Sequence, residues 1–496
     1  MKLPVGVAAL LLFALALALR LPSLGNRPFH ADEAVHAVKF QELRETGRYV
    51  YDPREFHGPT IYYAALPVAL ASGHRSFGDL TEADLRCAIA LFGAALAPLV
   101  LLFRRRIPEA ALLWAGLFLG ISPALVFYSR YFIQEIFLVG FTLLFLAFSA
   151  RGKPLWGGLF AGLMLATKET AALTFLAAGI AYFVARGGVR NLPWKSLGMG
   201  ALIAVLTAYV VLSGFFTNPS GPLGYFQTYA PWLKRAGGAE LHVHPWADYF
   251  ERYFWHLTPG KPLWTEGFVL ALGILGAIWS RKSAEGRFLS VFTVLLALSY
   301  SAIPYKTPWC GLNFLAPLVM LAGIGAAGTI ERVRRVRGKA LALLALLAGA
   351  AHLGWLSYQT SFVQFGDAKN PYVYSPTIPD AENLKRLVER LAEGHPQGVN
   401  LTVKVISRDG YCWPLPWHLR RFPHVGYWSG ALPPDPVAPL VLASPKFETA
   451  LDTKLPHHLL RGMHGIRLSV FYDLFVEKDL WKSYKGRYPN AEEDEE

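Results

Sequence analysis

Long apolar runs recur along this chain, and short basic clusters separate several of them. A run of about 20 apolar residues crosses a bilayer as an α-helix. Of the 496 residues, 53% are apolar and only 17% are charged, which excludes an ordinary soluble enzyme. The sequence predicts an integral membrane protein, a membrane all-α bundle with about eleven transmembrane helices. The predicted spans lie near 4–21, 86–103, 110–127, 136–150, 155–167, 171–185, 197–216, 263–280, 288–303, 310–329 and 340–357.

The first apolar run has a second interpretation. Lys2 followed by an apolar stretch from Val5 to Leu19 is also typical of a secretory signal peptide. We favour a retained helix, because many further apolar runs follow and cleavage would leave their orientation unexplained.

The basic residues predict the orientation in the membrane. The net charge of +13 is distributed over short clusters between apolar runs, a pattern that indicates cytoplasmic loops and not one nucleic-acid patch. We therefore expect a multi-pass protein of the inner (plasma) membrane with a cytoplasmic N-terminus. The clusters lie at 104–106, 151–153, 185–190, 281–287 and 331–339.

This orientation gathers the unusual polar residues on the extracytoplasmic face. The outer segments are the loop 22–83, the turns 128–135 and 167–170, the loop 217–262, the turn 304–309 and everything after about 358. Spans 155–167 and 171–185 are short, so we expect one or both to be tilted, broken or re-entrant around Lys168 and Glu169.

The first outer loop predicts two juxtamembrane helices. Residues 31–46 carry a weak helical stripe. The stretch 57–73 is apolar and Tyr-rich, but Pro59 and Pro67 interrupt it. Such a segment favours a position in the membrane interface over a spanning helix.

The character of the chain changes after residue 357, where proline and charge become more frequent. Strand-like pieces at 401–407 and 439–444 alternate with a helix-like piece at 380–394. We therefore predict a transmembrane domain over 1–357 and an extracytoplasmic soluble α/β domain over 358–496. Its aromatic motif at 411–420 suits sugar stacking, but a structural loop is the favoured interpretation.

An acid pair, Asp32 and Glu33, lies just beyond the first apolar run. A carboxylate at the membrane surface can deprotonate an acceptor hydroxyl that lies within hydrogen-bond reach. We predict that Asp32 is this general base and that Glu33 fixes the loop, with the reverse assignment left open. The alternative is that both acids only keep a loop solvated.

Further ionisable residues lie at the mouths of the spans. Arg130 and Glu135 flank one outer turn, and Lys168 and Glu169 interrupt an apolar stretch. Charges at membrane depth are costly, so they are functional candidates. Their alternative role is a structural ion pair, such as Arg130 with Glu135 or Lys168 with Glu169.

The sequence leaves the roles of two further groups of residues open. Lys306, between prolines in "PYKTPW", could hold an ammonium against a phosphate, or it could be an interfacial anchor together with Trp309. The histidines His30, His36 and His57, with the nearby acids, have the composition of a metal site but no tight ligand spacing. A divalent cation, Mg or Mn, thus stays possible.

The order of these features resembles the GT-C superfamily of polytopic glycosyltransferases, which use polyprenyl-phosphate-linked sugars. This superfamily includes protein O-mannosyltransferases and lipid A aminoarabinose transferases. Seven ordered motifs also resemble a prokaryotic family of flippase activity-associated proteins. These motifs are "HADEAVHA", "HGPTIYYAALP", "YSRYFIQE", "ATKETA", "IPYKTPWC", "NPYVYSPT" and "YCWPLPWHLR".

The resemblance implies a glycosyltransferase that moves a sugar from a polyprenyl-phosphate donor to a hydroxyl of a lipid, glycan or protein. It implies catalytic roles for Asp32, Glu33 and Glu135. Superfamily members with pyrophosphate donors tend to need a divalent cation, and those with monophosphate donors usually do not. The residues expected to bind substrate are His30, His57, Tyr62, Arg130, Lys168, Glu169, Lys306 and Trp309.

The family label also leaves a second function open, in which the protein binds polyprenyl-linked glycans and assists their translocation without catalysis. An ion-coupled transporter is disfavoured. Transporters usually place ionisable residues near the midplane between internal repeats, whereas here they lie toward one face and no repeat is found.

Overall fold

The computed structural model describes residues 4–53, 57–188, 193–238 and 242–489. The chain is mostly helical and forms two compact units. The first unit consists of Met1–Leu24, Glu42–Val68 and Ala83–Tyr374. The second consists of Gly25–Gln41, Ala69–Glu82 and Ser375–Glu496, so the acid pair belongs to the second unit.

Helices occur in both units and range from a single turn to more than twenty residues. In chain order they are α1 (Val5–Ala18), α2 (Ala31–Thr46), α3 (Thr60–Ala71), α4 (Glu82–Leu99), α5 (Glu109–Ile121), α6 (Pro123–Tyr128), α7 (Glu135–Ala150), α8 (Pro154–Leu165), α9 (Ala171–Arg186), α10 (Trp194–Leu212), α11 (Gly221–Gln227), α12 (Tyr229–Ala236), α13 (Asp248–Phe254), α14 (Gly267–Ser280), α15 (Ala284–Ala302), α16 (Leu312–Arg332), α17 (Val336–Tyr358), α18 (Asp380–Glu393), α19 (Leu415–His418), α20 (Glu448–Lys454) and α21 (Lys478–Arg487). The predicted helix over 31–46 is confirmed as α2.

Four helical segments of the described chain are long and apolar enough to cross a membrane. They are Glu82–Phe103, Trp194–Leu212, Pro308–Arg332 and Val336–Val363. The other apolar helices are shorter, as in α1, α7 and α14. The expected number of eleven spans is therefore not confirmed.

The predicted span 110–127 is two helices instead of one. Helix α5 ends at Ile121 and α6 begins at Pro123, with Ser122 extended between them at φ −60° and ψ 124°. A residue before proline is pushed out of the helical region, which explains the break. Glu266 then accepts hydrogen bonds from the Ser122 hydroxyl at 2.7 Å and from the Ala124 N–H at 3.0 Å.

Glycines allow close helix packing within the first unit. In α8, Gly158 and Gly162 lie four residues apart, where an added Cβ would collide with α10 at the carbonyls of Gly200 and Ala204. A Cβ at Gly276 of α14 would likewise meet a carbonyl of α16. Small residues at such spacing let helix backbones approach closely in a membrane.

The second unit contains a five-stranded sheet with strand order β2-β1-β3-β5-β4. Strand β1 runs parallel to β2 and β3, whereas β5 runs antiparallel to β3 and β4. The predicted helix at 380–394 and the predicted strands at 401–407 and 439–444 are confirmed as α18, β1 and β3. The strands are β1 (Val403–Ser407), β2 (Val425–Ser429), β3 (Leu440–Ala443), β4 (His458–Arg467) and β5 (Val470–Glu477).

Helix α18 covers this sheet with an apolar face that includes Leu384, Val388 and Leu391, all fully buried. Its first turn carries Glu382, whose carboxylate lies 3.2 Å from Nδ1 of the buried His418. Burial alone would raise the pKa of Glu382, but the contact with His418 and the charge of Lys385 lower it to about 2.

This pair predicts acid sensitivity of the second unit. Because the folded-state pKa of Glu382 is depressed, its stabilisation is present above the unfolded value of 4.5 and is lost as pH falls toward about 2. We expect Glu382→Gln to cost about 1–2 kcal/mol near neutral pH, after allowance for solvent screening. Hydrogen exchange of α18 in the full chain, corrected for intrinsic rates at each pH, measures this cost.

Glu389→Gln on the same helix is the control, since Glu389 forms an exposed pair with Arg421 at 3.5 Å. The difference between native protein and Glu382→Gln should shrink in acid. A difference that stays constant from neutral pH down to about pH 2 would contradict the ionic role of Glu382.

Candidate active site

The acid pair lies in the first turn of α2, where the helix dipole favours negative charge. Glu33 is fully buried, and its Oε2 accepts hydrogen bonds from the His30 N–H at 3.0 Å and from the Arg27 guanidinium at 3.1 Å. In return, Nδ1 of His30 accepts the Asp32 N–H at 3.1 Å. These reciprocal bonds close the helix start as a capping box does. Glu33 and His30 thus hold this turn in place.

Asp32 is in a different environment from Glu33. Its side chain is 49% exposed, and Oδ1 lies 3.9 Å from Nδ1 of His30. Burial lowers the pKa of His30 despite the nearby charges of Asp32 and Glu33, so a neutral imidazole is favoured there. Of the two carboxylates in the acid pair, that of Asp32 is open to solvent and that of Glu33 is buried. A general base at this position has to be open to the acceptor.

The aromatic motif at 411–420 fixes the loop before α2. Phe29 stacks on the fully buried Trp417 with ring centroids 4.4 Å apart. The indole N–H of Trp417 donates to Glu82 at 2.6 Å, and the Thr377 hydroxyl donates to the carbonyl of Phe29 at 2.6 Å. Since Trp417 has no exposed face for a sugar, a structural role is favoured for this residue.

Arg467 is a neighbour of the acid pair that the sequence does not reveal. It ends β4 and forms a β-bridge with Thr377, the residue bonded to the loop before α2. Its guanidinium lies 6.0 Å from the ring centroid of Tyr411, and its Nε is buried without a hydrogen-bond partner among the described residues. Burial lowers the pKa of Arg467, and the charge of Asp32 offsets only part of this shift. No sequence motif identifies this arginine, because its interaction with Asp32 joins segments that are far apart in the chain.

The turn between α8 and α9 holds a second cluster of charges, within the first unit. Lys168 is buried, its Nζ donates to the buried carboxylate of Glu135, and it lies 3.8 Å from Sγ of Cys310. Glu169 lies 2.8 Å from Nδ1 of His57. The ion pairs considered from the sequence, Lys168 with Glu169 and Arg130 with Glu135, are therefore not the ones that form.

The segment 57–60 is packed directly onto this turn. The N–H of Gly58 donates to the carbonyl of Thr167 at 3.1 Å, and the hydroxyls of Thr60 and Thr167 lie 2.8 Å apart. A Cβ at position 58 would collide with the carbonyl of Ala166, so glycine is required by this approach. Tyr229 of α12 donates to the carbonyl of Glu169 at 3.2 Å. The Lys168 turn is thus held from two sides.

Arg130 binds the backbone that leaves α1. Its guanidinium donates to the carbonyls of Arg20 at 2.8 Å, Pro22 at 2.7 Å and Ser23 at 3.1 Å. It also lies 4.4 Å from the ring centroid of Phe362. These contacts favour a positioning role for Arg130.

The remaining predicted residues of the first unit are buried. Nζ of Lys306 donates to the carbonyls of Ile303 at 2.6 Å and His244 at 3.3 Å. Trp309 and Tyr62 pack among other aromatic rings, with Tyr62 fully buried. These contacts show how the loops are supported and do not identify a ligand.

A divalent cation receives no ligand set from the described residues. No group of three or more His, Cys, Asp or Glu side chains in 4–53, 57–188, 193–238 and 242–489 could hold a metal ion. The acids of the two clusters instead contact arginine, lysine and histidine.

No protein-family model and no curated protein sequence match this chain. Its membership of the flippase activity-associated family is therefore not confirmed. Solved structures do match. ArnT from Cupriavidus metallidurans bound to undecaprenyl phosphate is 15% identical with a TM-score of 0.64, covering 95% of this chain and 97% of that chain.

Two other solved structures also match the fold of this chain. ArnT from the same organism in the apo state is 15% identical with a TM-score of 0.61, covering 94% and 97% of the two chains. An Archaeoglobus fulgidus oligosaccharyltransferase, tethered to an acceptor peptide containing the NVT sequon, is 14% identical with a TM-score of 0.56, covering 86% of this chain and 64% of that chain. The chain thus has the fold of ArnT and of this oligosaccharyltransferase, and its described residues include four helical segments long and apolar enough to cross a membrane.

Proposed function

We propose that this protein is a membrane glycosyltransferase that moves a sugar from a polyprenyl-phosphate donor to a hydroxyl acceptor on a lipid, glycan or protein. Transfer takes place at the extracytoplasmic face of the plasma membrane. The observation that carries the proposal is the half-exposed carboxylate of Asp32, which lies on a helix start held by hydrogen bonds of Glu33 and His30. The chain also shares its fold with ArnT over 95% of its length.

In the proposed reaction, Asp32 accepts the proton of the acceptor hydroxyl. The acceptor oxygen forms a bond to the anomeric carbon while the bond from that carbon to the phosphate oxygen breaks. The phosphate leaves with the electron pair, and the anomeric configuration is inverted. A base assists this step only if it stays ionised and lies within hydrogen-bond reach of the hydroxyl.

The donor phosphate gains charge as the bond breaks, and fixed cations stabilise such charge. We assign this role to Lys168, with Glu135 and Glu169 orienting the turn around it. His57 supports Glu169, and we propose that Tyr62 and Trp309 shape the aromatic surroundings. Arg130 and Lys306 position the backbone through the carbonyls that they bind.

The first test is release of labelled sugar from a panel of polyprenyl-phospho-sugars by purified protein in lipid nanodiscs. Turnover of one donor supports the proposal and identifies the sugar, and a parallel sample with chelator tests for a required cation. Donor binding without turnover, together with glycolipid movement between leaflets of reconstituted vesicles, would instead support the non-catalytic translocation role.

We also assign Arg467 to substrate binding, because its Nε is buried without a described hydrogen-bond partner and its guanidinium interacts electrostatically with Asp32. A guanidinium in that position suits an anionic or polar group of a substrate. We expect Arg467→Gln to raise KM by about tenfold or more, the loss of one charge-assisted hydrogen bond. The value of kcat should change little, and Arg467→Lys should recover part of the affinity.

Arg461→Gln on the same strand is the control, since Arg461 stacks on Trp481 at 3.8 Å. A fall in kcat at unchanged KM, or an equal effect of Arg461→Gln, would show that Arg467 only supports the fold.

A further inference from the structure

A basic pocket of about 250 Å³ lies in the first unit, and none of its lining residues belongs to the charged clusters described above. It is formed where the turn after the short helix Val100–Phe103 meets the turn between α7 and α8. Four of its six lining residues are cations and none is acidic. The lining residues are Arg104, Arg105, Phe148, Arg151, Lys153 and Trp156.

The two turns are joined by Arg106, which does not line the pocket. Its guanidinium donates to the carbonyl of Ala150 at 3.1 Å and lies 3.5 Å from the carboxylate of Glu285. Glu285 therefore forms its ion pair with Arg106. Within the described residues, no acidic side chain pairs with any of the four lining cations.

Arg151 is the most constrained of these cations. Its Nε is buried and has no hydrogen-bond partner among the described residues. Burial and the charges of Arg105 and Arg104 lower the pKa of Arg151, so the three guanidinium groups are close enough to repel one another. Buried donors are normally bonded, and crowded cations are stabilised by an anion between them.

An aromatic wall continues from this pocket along α7 and α8. Phe148 stacks on Trp156 at 5.7 Å and on Phe160 at 5.6 Å between ring centroids. Trp156 is 52% exposed. The pocket thus combines a cationic end with an apolar strip on apolar helices, which matches a phosphate group attached to an acyl chain.

We propose that this pocket binds the phosphate headgroup of an anionic membrane lipid, with an acyl chain lying along Phe148, Trp156 and Phe160. Its volume is below the usual size of about 300–1,000 Å³ for small-molecule sites, which suits a headgroup phosphate and not a whole glycolipid head. Basic pockets between membrane helices bind lipid head groups in this way. The site is independent of the proposed transfer reaction and lies at clusters that the sequence places on the cytoplasmic face.

The test is binding of dioctanoyl phosphatidylglycerol to the full chain in detergent, measured by native mass spectrometry. We expect the double variant Arg104→Gln, Arg105→Gln to weaken binding by about tenfold, from the loss of two charges near the headgroup. Arg151→Gln alone should also weaken binding. The double variant Lys282→Gln, Arg337→Gln removes the same charge from exposed positions outside the pocket and should bind as the native protein does.

Two comparisons decide the nature of the ligand. Equal binding of zwitterionic dioctanoyl phosphatidylcholine, or an equal loss in the control double variant, would overturn the proposal in favour of diffuse positive charge. Displacement of the lipid by inorganic phosphate at the same concentration would overturn the lipid assignment and leave a site for free phosphate. Selective loss in the pocket variants, with weak competition by phosphate, supports the lipid headgroup.

Discussion

Replacing Asp32 with asparagine is expected to lower sugar transfer by about 10²–10⁴-fold, the usual contribution of a general base. The amide keeps the shape of the side chain but cannot accept the acceptor proton. The helix start should survive, since its closing bonds are made by Glu33, His30 and the backbone of Asp32. Donor binding should therefore change little while turnover is lost.

The measurement compares donor turnover and donor affinity of native protein and Asp32→Asn in nanodiscs. Glu45→Gln, on the exposed part of the same helix, removes an equal charge and should retain activity. Full transfer by a folded Asp32→Asn protein would remove Asp32 from the mechanism. If Glu33→Gln alone abolished turnover without loss of stability, the roles of the two acids would have to be exchanged.

Replacing Lys168 with methionine is expected to destabilise the first unit by about 3–5 kcal/mol, because Glu135 then becomes an unpaired buried charge. The double variant Glu135→Leu, Lys168→Met removes both charges and should recover most of this loss. Unfolding of the detergent-solubilised protein in denaturant measures both changes. Arg106→Gln is the control, since its exposed pair with Glu285 should contribute at most about 1 kcal/mol.

The double variant Glu135→Leu, Lys168→Met also distinguishes a structural role of Lys168 from a role in binding the donor. If Lys168 holds the donor phosphate, the stabilised double variant should still bind the polyprenyl-phosphate donor about tenfold to hundredfold more weakly, since the charge-assisted contact is lost. If the pair is only structural, stability and donor affinity should recover together. That second result would remove Lys168 from the substrate-binding residues.

Much of the secondary structure follows from short-range sequence patterns. The apolar stripes at 31–46 and 380–394 predict helices, and both form as α2 and α18. The apolar character of 401–407 and 439–444 predicts the strands found within them. These signals are local, because helical and extended backbones repeat over a few residues. The break at Pro123 is also a local signal, and the prediction of one span over 110–127 overlooks it.

The roles within the candidate site depend on tertiary structure. The sequence places Asp32 and Glu33 side by side, but only packing shows that Glu33 is buried against Arg27 while Asp32 is half-exposed. Lys168 and Glu169 are also adjacent, yet their partners are Glu135 and His57, from other segments. Arg467 is distant in sequence from Asp32, and its strand is linked to the loop before α2 by the bridge with Thr377.

The amino-acid sequence alone thus determined that the chain enters a membrane, where its main helices lie and which residue types could carry chemistry. Hydrophobic length and local charge are sufficient for these inferences, since each is contained in one contiguous segment. The tertiary structure decided which charges pair, which carboxylate stays open to solvent and which arginine interacts with that carboxylate. Those outcomes depend on distances between segments far apart in the chain, and a linear pattern does not contain such distances.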